Sequence, residues 1–232
     1  MSAQNNEISL GLMKACVKGY TEVVKELLDK GADMNVRDEN NATPLMLASA
    51  YGYFKIVKLL LDKGAEVDAK GWKGEGTALA RAIVEGHPDI IDLLIDNGAS
   101  VNAIILKGGT ALTWASSKGD ENIVAQLLDR GADINSMTED GVTGLMLSAG
   151  YGHVAAVKVL LDRGANIHAK GPEGVTALIY AAIQGQVEAV KLLMNKGADV
   201  NAKIDSGGTA LSYAESRGHA KVVQLLRNAG AV

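Results

Sequence analysis

The sequence repeats itself about every 33 residues, and this period constrains the fold more than any other feature. A T-x-L-x-x-[AS] phrase begins at six threonines, and an L-[LMI]-x-x-G-A phrase follows at a constant distance. The threonines are Thr43, Thr77, Thr110, Thr143, Thr176 and Thr209. Leu10 takes the place of a threonine in the first repeat, which makes seven repeats.

A chain with this period is built by stacking one small unit on the next. We therefore predict a single domain over residues 1–232, without a linker. Residues 1–36 form an N-terminal cap repeat, 37–200 five internal repeats and 201–232 a C-terminal cap repeat. Lys14, Glu26 and Arg227 replace apolar residues of other repeats, and such polar outer faces predict a complete, capped stack.

The second repeat shows what one unit folds into. Thr43 and Pro44 suit the first turn of a short helix, and Gly52 suits its left-handed end. A second helix is predicted over 54–63, where apolar residues recur at helical spacing until Gly64. Each unit therefore contains two antiparallel helices.

The rest of the unit, residues 65–76, alternates apolar and polar side chains and ends in a glycine-rich turn, which predicts a hairpin. Neither helix buries its apolar face alone, so equivalent residues of successive second helices must stack. One predicted column contains Val24, Val57, Ile91, Val124, Val157, Val190 and Val223. The other contains Leu27, Leu60, Leu94, Leu127, Leu160, Leu193 and Leu226.

The order and spacing of these residues resemble the ankyrin repeat, as shown by Thr43-Pro44-Leu45, Ala48, Gly52, Ile56-Val57, Leu60-Leu61 and Gly64-Ala65. The resemblance covers essentially the whole chain. It implies an all-α, elongated solenoid of helix-helix-hairpin repeats with a concave surface that binds other proteins. One position departs from the family, which often has histidine two residues after the proline. That position holds Met46, Ala80, Thr113, Met146, Ile179 or Ser212, and we expect fewer side-chain hydrogen bonds in these turns.

Charge and cysteine content narrow the functional classes. The chain has 23 Lys and Arg against 27 Asp and Glu, a net charge of -4, which argues against general binding to nucleic acid or anionic membranes. Cys16 is the only cysteine, and its helix position predicts a small buried side chain. The N-terminus lacks the features of a signal peptide, and no apolar run reaches the length of a membrane span. We therefore predict a soluble, cytoplasmic monomer, with secretion by a route without a signal left open.

No constellation of residues suggests catalysis. His87, His153 and His219 occupy equivalent turns two repeats apart, about 20 Å from one another if helices pack at the usual spacing, too far to share a metal ion. We interpret them as residues of surface turns. The tip at 71–76 has neither a G-K-[ST] ending nor a G-x-G-x-x-G order. We predict no enzyme activity, no catalytic residue, no cofactor and no metal.

Function must then reside on positions that the stack leaves free: the hairpin tips and the ends of the first helices. The candidate contacts for a partner protein are Tyr51, Trp72, Lys73, Glu85, Ile105, Leu106, Lys118, Tyr151, Pro172, Gln184, Asp205 and Arg217. Tyr and Trp are favoured because large rigid side chains dominate many interfaces. Two alternatives are that Trp72 covers its own tip and that each Tyr leans on the neighbouring repeat. The triplet 104–106 either exposes an apolar patch or packs inward.

Three further alternatives stay open at the level of sequence. The chain could be the non-catalytic regulatory segment of a larger enzyme, or an engineered, consensus-like scaffold with no evolved partner. Resemblance to the family also implies that Asn35, Asn102, Asn135 or Asn201 are candidates for hydroxylation.

A second periodicity indicates that a three-repeat block was duplicated, since Tyr51 and Lys58 return as Tyr151 and Lys158.

Overall fold

A computed structural model describes residues 3–71, 76–105 and 108–232, with side chains from Glu7 onward. These residues form fourteen α-helices. The first helix of each repeat is α1 (Ala3–Lys18), α3 (Pro44–Ala50), α5 (Ala78–Glu85), α7 (Ala111–Lys118), α9 (Gly144–Tyr151), α11 (Ala177–Ile183) and α13 (Ala210–Ser216). The second is α2 (Thr21–Asp29), α4 (Phe54–Asp62), α6 (Pro88–Asp96), α8 (Glu121–Asp129), α10 (Val154–Asp162), α12 (Val187–Asn195) and α14 (Ala220–Asn228).

The repeated threonines cap the first helices, as predicted. In each of the six repeats the threonine hydroxyl accepts a hydrogen bond from the backbone N–H three residues on, at 3.1 Å for Thr77 and 3.2 Å for Thr143. The expectation of fewer side-chain bonds in these turns is wrong for the last repeat. There Ser212 Oγ accepts from the Thr209 N–H at 2.9 Å and completes a reciprocal cap. The hydroxyl of Ser212 thus forms a hydrogen bond within the turn, as the histidine of the family pattern does.

The predicted hairpins are present but minimal. Isolated antiparallel bridges pair Gly71 with Gly76, Met137 with Thr143, and Lys203 with Thr209. Each closes a loop that leads from one helix pair to the next. Each of the bridged hairpins is therefore held by few backbone hydrogen bonds.

The helices form two compact units, residues 1–106 and 107–232. In the first unit α1, α3 and α5 pack in one row, and α2, α4 and α6 in a second. In the second unit α7, α9, α11 and α13 form one row, and α8, α10, α12 and α14 the other. The prediction of a single domain over 1–232 stays a prediction.

The predicted columns form the core of both units. The residues of the two columns are fully buried, except Leu27 in the first repeat and Val223 in the last, which are half-buried. Cys16 is also fully buried, as predicted, and desolvation raises its pKa to about 12. Trp114 is half-buried in α7. Apolar side chains therefore fill the space between the rows of helices.

The histidines of the turns tie the third, fifth and seventh repeats to the repeat before each, a role that their interpretation as surface-turn residues missed. Nε2 of His87, His153 and His219 lies 3.1, 3.1 and 3.0 Å from the carbonyl oxygens of Ala50, Ser117 and Ile183. Gln186 uses its side-chain amide in the same way, donating to the carbonyl of Gly150 at 3.2 Å. The histidines are structural because their hydrogen bonds satisfy carbonyl groups at the ends of first helices.

Ion pairs connect the far ends of second helices. Lys63 Nζ lies 2.9 Å from Asp29, and Lys196 Nζ lies 2.6 Å from Asp162. A hydrogen bond from Lys63 lowers the pKa of Asp29, and one from Lys196 lowers the pKa of Asp162. Asp29 and Asp162 thus link successive repeats.

Candidate protein-binding surface

The ends of the first helices present a row of exposed side chains in each unit. In the first unit Tyr51 and Glu85 are exposed at or beside the ends of α3 and α5. In the second unit the equivalent positions belong to Lys118, Tyr151, Gln184 and Arg217, and all four are exposed. None of these side chains belongs to the core columns, so they are free to contact another molecule.

Two hairpin tips of the second unit add to this set. Pro172 and Asp205 are both exposed. The Asp205 N–H donates to the carbonyl of Glu173 at 2.8 Å, which joins the tips of adjacent repeats. This hydrogen bond holds the two neighbouring tips together. Trp72, Lys73 and Leu106 lie outside the described residues.

Ile104 and Ile105 face in two different directions, and one candidate contact residue is buried. Ile105 is 3% exposed, whereas Ile104 is 52% exposed. Consecutive side chains of an extended segment point to opposite sides, so one isoleucine enters the core when its neighbour faces solvent. Ile105 is buried and is not a contact residue in this structure, and Ile104 is the accessible member of the pair.

Each exposed tyrosine lies beside a second ring of its own turn, stacked for Tyr51 and tilted for Tyr151. Tyr51 lies parallel to Tyr53 at 6.0 Å between ring centroids, and Tyr151 lies 6.0 Å from the His153 ring. Half or more of each remains accessible, 54% for Tyr51 and 61% for Tyr151. Burial, the Asp140 carboxylate and Tyr151 together raise the pKa of Tyr180, so Tyr151 also approaches the following repeat.

Lys118 is held over an aromatic ring at the same surface. Its Nζ lies 5.0 Å from the centroid of the Trp114 ring, within the range of a cation–π interaction. This contact restricts a long side chain that would otherwise lose rotational freedom on binding. The lysine therefore offers a positioned positive charge at the end of α7.

The described residues offer the surface little other chemistry. They include no group of three or more His, Cys, Asp or Glu side chains arranged to hold a metal ion. Among the helices seen, none is both long enough and apolar enough to cross a membrane. What the described surface provides is exposed aromatic, charged and amide side chains on packed helices, which suits recognition of another macromolecule.

Paired helices, threonine caps and short hairpins define a helical repeat protein. The family described as ankyrin repeats (3 copies) matches four overlapping stretches of the chain, residues 12–105, 79–171, 112–204 and 145–232. The chain belongs to the ankyrin repeat family.

Two solved structures show the same fold. The ankyrin repeat domain of Bcl-3, a member of the IkappaB protein family, superposes with a TM-score of 0.84 and 30% identity, covering 94% of this chain and 97% of that one. The ankyrin repeat domain of human ASB11 superposes with a TM-score of 0.81 and 26% identity, covering 93% and 96%. Among curated protein sequences, none matches the chain significantly.

Proposed function

We propose that this chain is a non-catalytic module that binds a partner protein through the ends of its first helices and its hairpin tips. Ankyrin repeat domains in general mediate contacts between proteins, and the proposal adds which residues make them here. One observation carries it: the row Lys118, Tyr151, Gln184 and Arg217 is exposed in four successive repeats while the helices beneath are packed. A rigid surface loses little conformational entropy on binding.

The partner, in this proposal, is a folded or extended protein that spans three or four repeats. An interface of ordinary size uses about 800 Å² on each side. Tyr151 supplies a large apolar contact, and Lys118 and Arg217 add positive charge. We further propose that the protein is monomeric and acts in the cytoplasm, where a single buried cysteine stays reduced.

The test compares capture of proteins from the native cell extract by three forms of the chain. One is the wild type, and the second carries Lys118→Ala, Tyr151→Ala, Gln184→Ala and Arg217→Ala. The third is a control with Glu121→Ala and Lys221→Ala, two exposed residues of second helices. A partner that the wild type and control retain should bind the second form at least about tenfold more weakly. If every captured protein binds all three forms equally, the proposed surface is wrong.

A further inference from the structure

Aromatic side chains are concentrated at the helix turns of the first two repeats. The whole chain has two Trp, six Tyr and one Phe, and four of these residues lie there: Tyr20, Tyr51, Tyr53 and Phe54. We call these four residues the aromatic patch. The rings of Tyr51 and Tyr53 are stacked, 20° from parallel. Tyr53 lies over Gly19, where an added Cβ would come within 2.7 Å of its ring, so the turns of the two repeats meet directly.

Most of the patch is exposed, although large apolar and aromatic side chains are more often buried in a protein core. Tyr20 is 58%, Tyr51 54% and Phe54 38% exposed. Val23, three residues after Tyr20, is 43% exposed. The equivalents of Val23 in the later repeats are buried: Ile56, Ile90, Ile123, Ala156, Ala189 and Val222. Exposed apolar side chains grouped on neighbouring turns commonly mark a binding site.

Exposed lysines lie on the helices that flank the turns of the patch. Lys18, Lys25, Lys55 and Lys58 are exposed at the end of α1 and along α2 and α4, and we call them the lysine rim. Phe54 and Lys58 are four residues apart on α4 and share one helix face. No ion pair among the described residues involves Lys18, Lys55 or Lys58. α2 also carries the acidic residues Glu22, Glu26 and Asp29. Glu26 pairs with Lys30 and Asp29 with Lys63, so their charges are balanced outside the rim, on a chain whose net charge is -4.

The basic character ends at the third repeat. The position of Lys18 and Tyr51 is Glu85 there, and the positions of Lys55 and Lys58 are Asp89 and Asp92. A negatively charged ligand is therefore attracted to the first two repeats and repelled by the third. This limits the site to the region of the aromatic patch.

We propose that the aromatic patch and the lysine rim bind an acidic segment of a partner protein. This inference rests on the proposed function and adds a site and a partner chemistry to it. An apolar side chain of the segment packs against Tyr51 and Phe54, and flanking carboxylates pair with Lys55 and Lys58. Tyrosine is enriched in binding hot spots, and complementary charge provides selectivity and fast association.

Single-stranded nucleic acid is the other ligand that stacks on aromatic rings beside lysines. Such proteins usually carry a continuous basic groove. Here the lysines occupy two repeats only, and Asp89 and Asp92 replace Lys55 and Lys58 in the next. The acidic protein segment is favoured for this reason, and nucleic acid becomes an outcome of the test.

The duplicated block supplies a matched control. Tyr151 and Lys158 repeat Tyr51 and Lys58 at the same positions, and both are exposed. Asp120 and Val154, however, replace Tyr20 and Phe54. The variants Lys58→Glu and Lys158→Glu therefore make the identical chemical change in two different surroundings, and Lys158 is not a contact of the surface proposed above. Circular dichroism should show the same helix content for both, since neither lysine is buried.

The experiment selects a phage-displayed random peptide library on the wild-type chain. Enriched peptides should combine Asp or Glu with an aromatic or aliphatic residue. Isothermal titration of a synthesised peptide should show at least about tenfold weaker binding to Lys58→Glu, a change within about twofold for Lys158→Glu, and weaker binding as salt rises.

Several outcomes overturn the inference. These are a selection that enriches no peptide, enriched peptides without acidic residues, and equal losses in the two lysine variants. Binding of oligo(dT) that only Lys58→Glu abolishes would assign the patch to nucleic acid instead. The proposed function stands or falls separately, on capture by the variant at Lys118, Tyr151, Gln184 and Arg217.

Discussion

At the scale of single residues, left-handed glycines allow each turn to lie against the next repeat. Gly119 has φ +75°, and a Cβ there would lie 2.4 Å from Cγ of His153. Gly218 has nearly the same backbone, φ +74°, but nothing lies within 4 Å of an added Cβ. Two constraints therefore act at Gly119, a backbone that L-residues disfavour and a ring that needs the space, whereas only the first acts at Gly218.

These two glycines give a prediction. Gly119→Ala should lower the free energy of unfolding by about 3 kcal/mol, because strain and overpacking add, whereas Gly218→Ala should cost about 1 kcal/mol from strain alone. Urea denaturation measures both. In a His153→Ala background the cost of Gly119→Ala should fall toward that of Gly218→Ala. Equal costs at the two glycines in the wild-type background would show that the histidine ring yields easily.

At the scale of elements, the repeats are joined by side chains that reach from one helix pair to the next. Histidines bond first-helix carbonyls, and basic residues pair with aspartates of the preceding second helix. Asn35 Oδ1 accepts the Glu66 N–H at 3.0 Å, and Asn135 Oδ1 accepts the Asn166 N–H at 2.9 Å. The conformation of each loop thus depends on its neighbour, which explains how short elements hold their positions.

The ion pair of α10 and the end of α12 gives a prediction about pH. Its hydrogen bond to Lys196 lowers the pKa of Asp162. A lowered pKa means that the pair stabilises the fold above the ordinary pKa of aspartate, and that this contribution is lost as pH falls through the folded-state value. Lys196→Gln should move the Asp162 pKa, followed by NMR, upward. Lys191→Gln, which removes a pair with Glu188 within one helix, should leave it in place.

At the scale of the whole molecule, stability should depend on neighbouring repeats. Leu160 is fully buried in α10, which packs against α8 and α12. Leu160→Ala should lower the free energy of unfolding by about 3 kcal/mol, because it leaves a cavity in the core. Hydrogen exchange should accelerate in α8 and α12 as well as in α10.

Leu160→Ala also tests the prediction that residues 1–232 form a single domain. If residues 1–232 unfold as one domain, faster exchange in Leu160→Ala should extend to the helices of residues 1–106. Exchange confined to residues 107–232 would contradict that prediction. Leu161→Ala, at a half-buried position of the same helix, is the control and should have the smaller effect.

The sequence by itself determined the repeat, the helices and the buried columns, because caps, glycine stops and apolar spacing act within a few residues of one another. Thr143 and Gly152 specify where α9 begins and ends without reference to the rest of the chain. The exposure of Tyr51 and Tyr151 was equally readable, since helical spacing places them off the core face.

Only the tertiary structure decided which side chains of different repeats meet. The bond from His153 to Ser117, the ring of Tyr53 over Gly19 and the inward turn of Ile105 all depend on how one repeat lies on another or on which side of a short hairpin a residue falls. A shift of one residue would bring different side chains together, and the repeat pattern does not specify this register. The aromatic patch is visible for the same reason, because its members belong to two repeats that only stacking brings together.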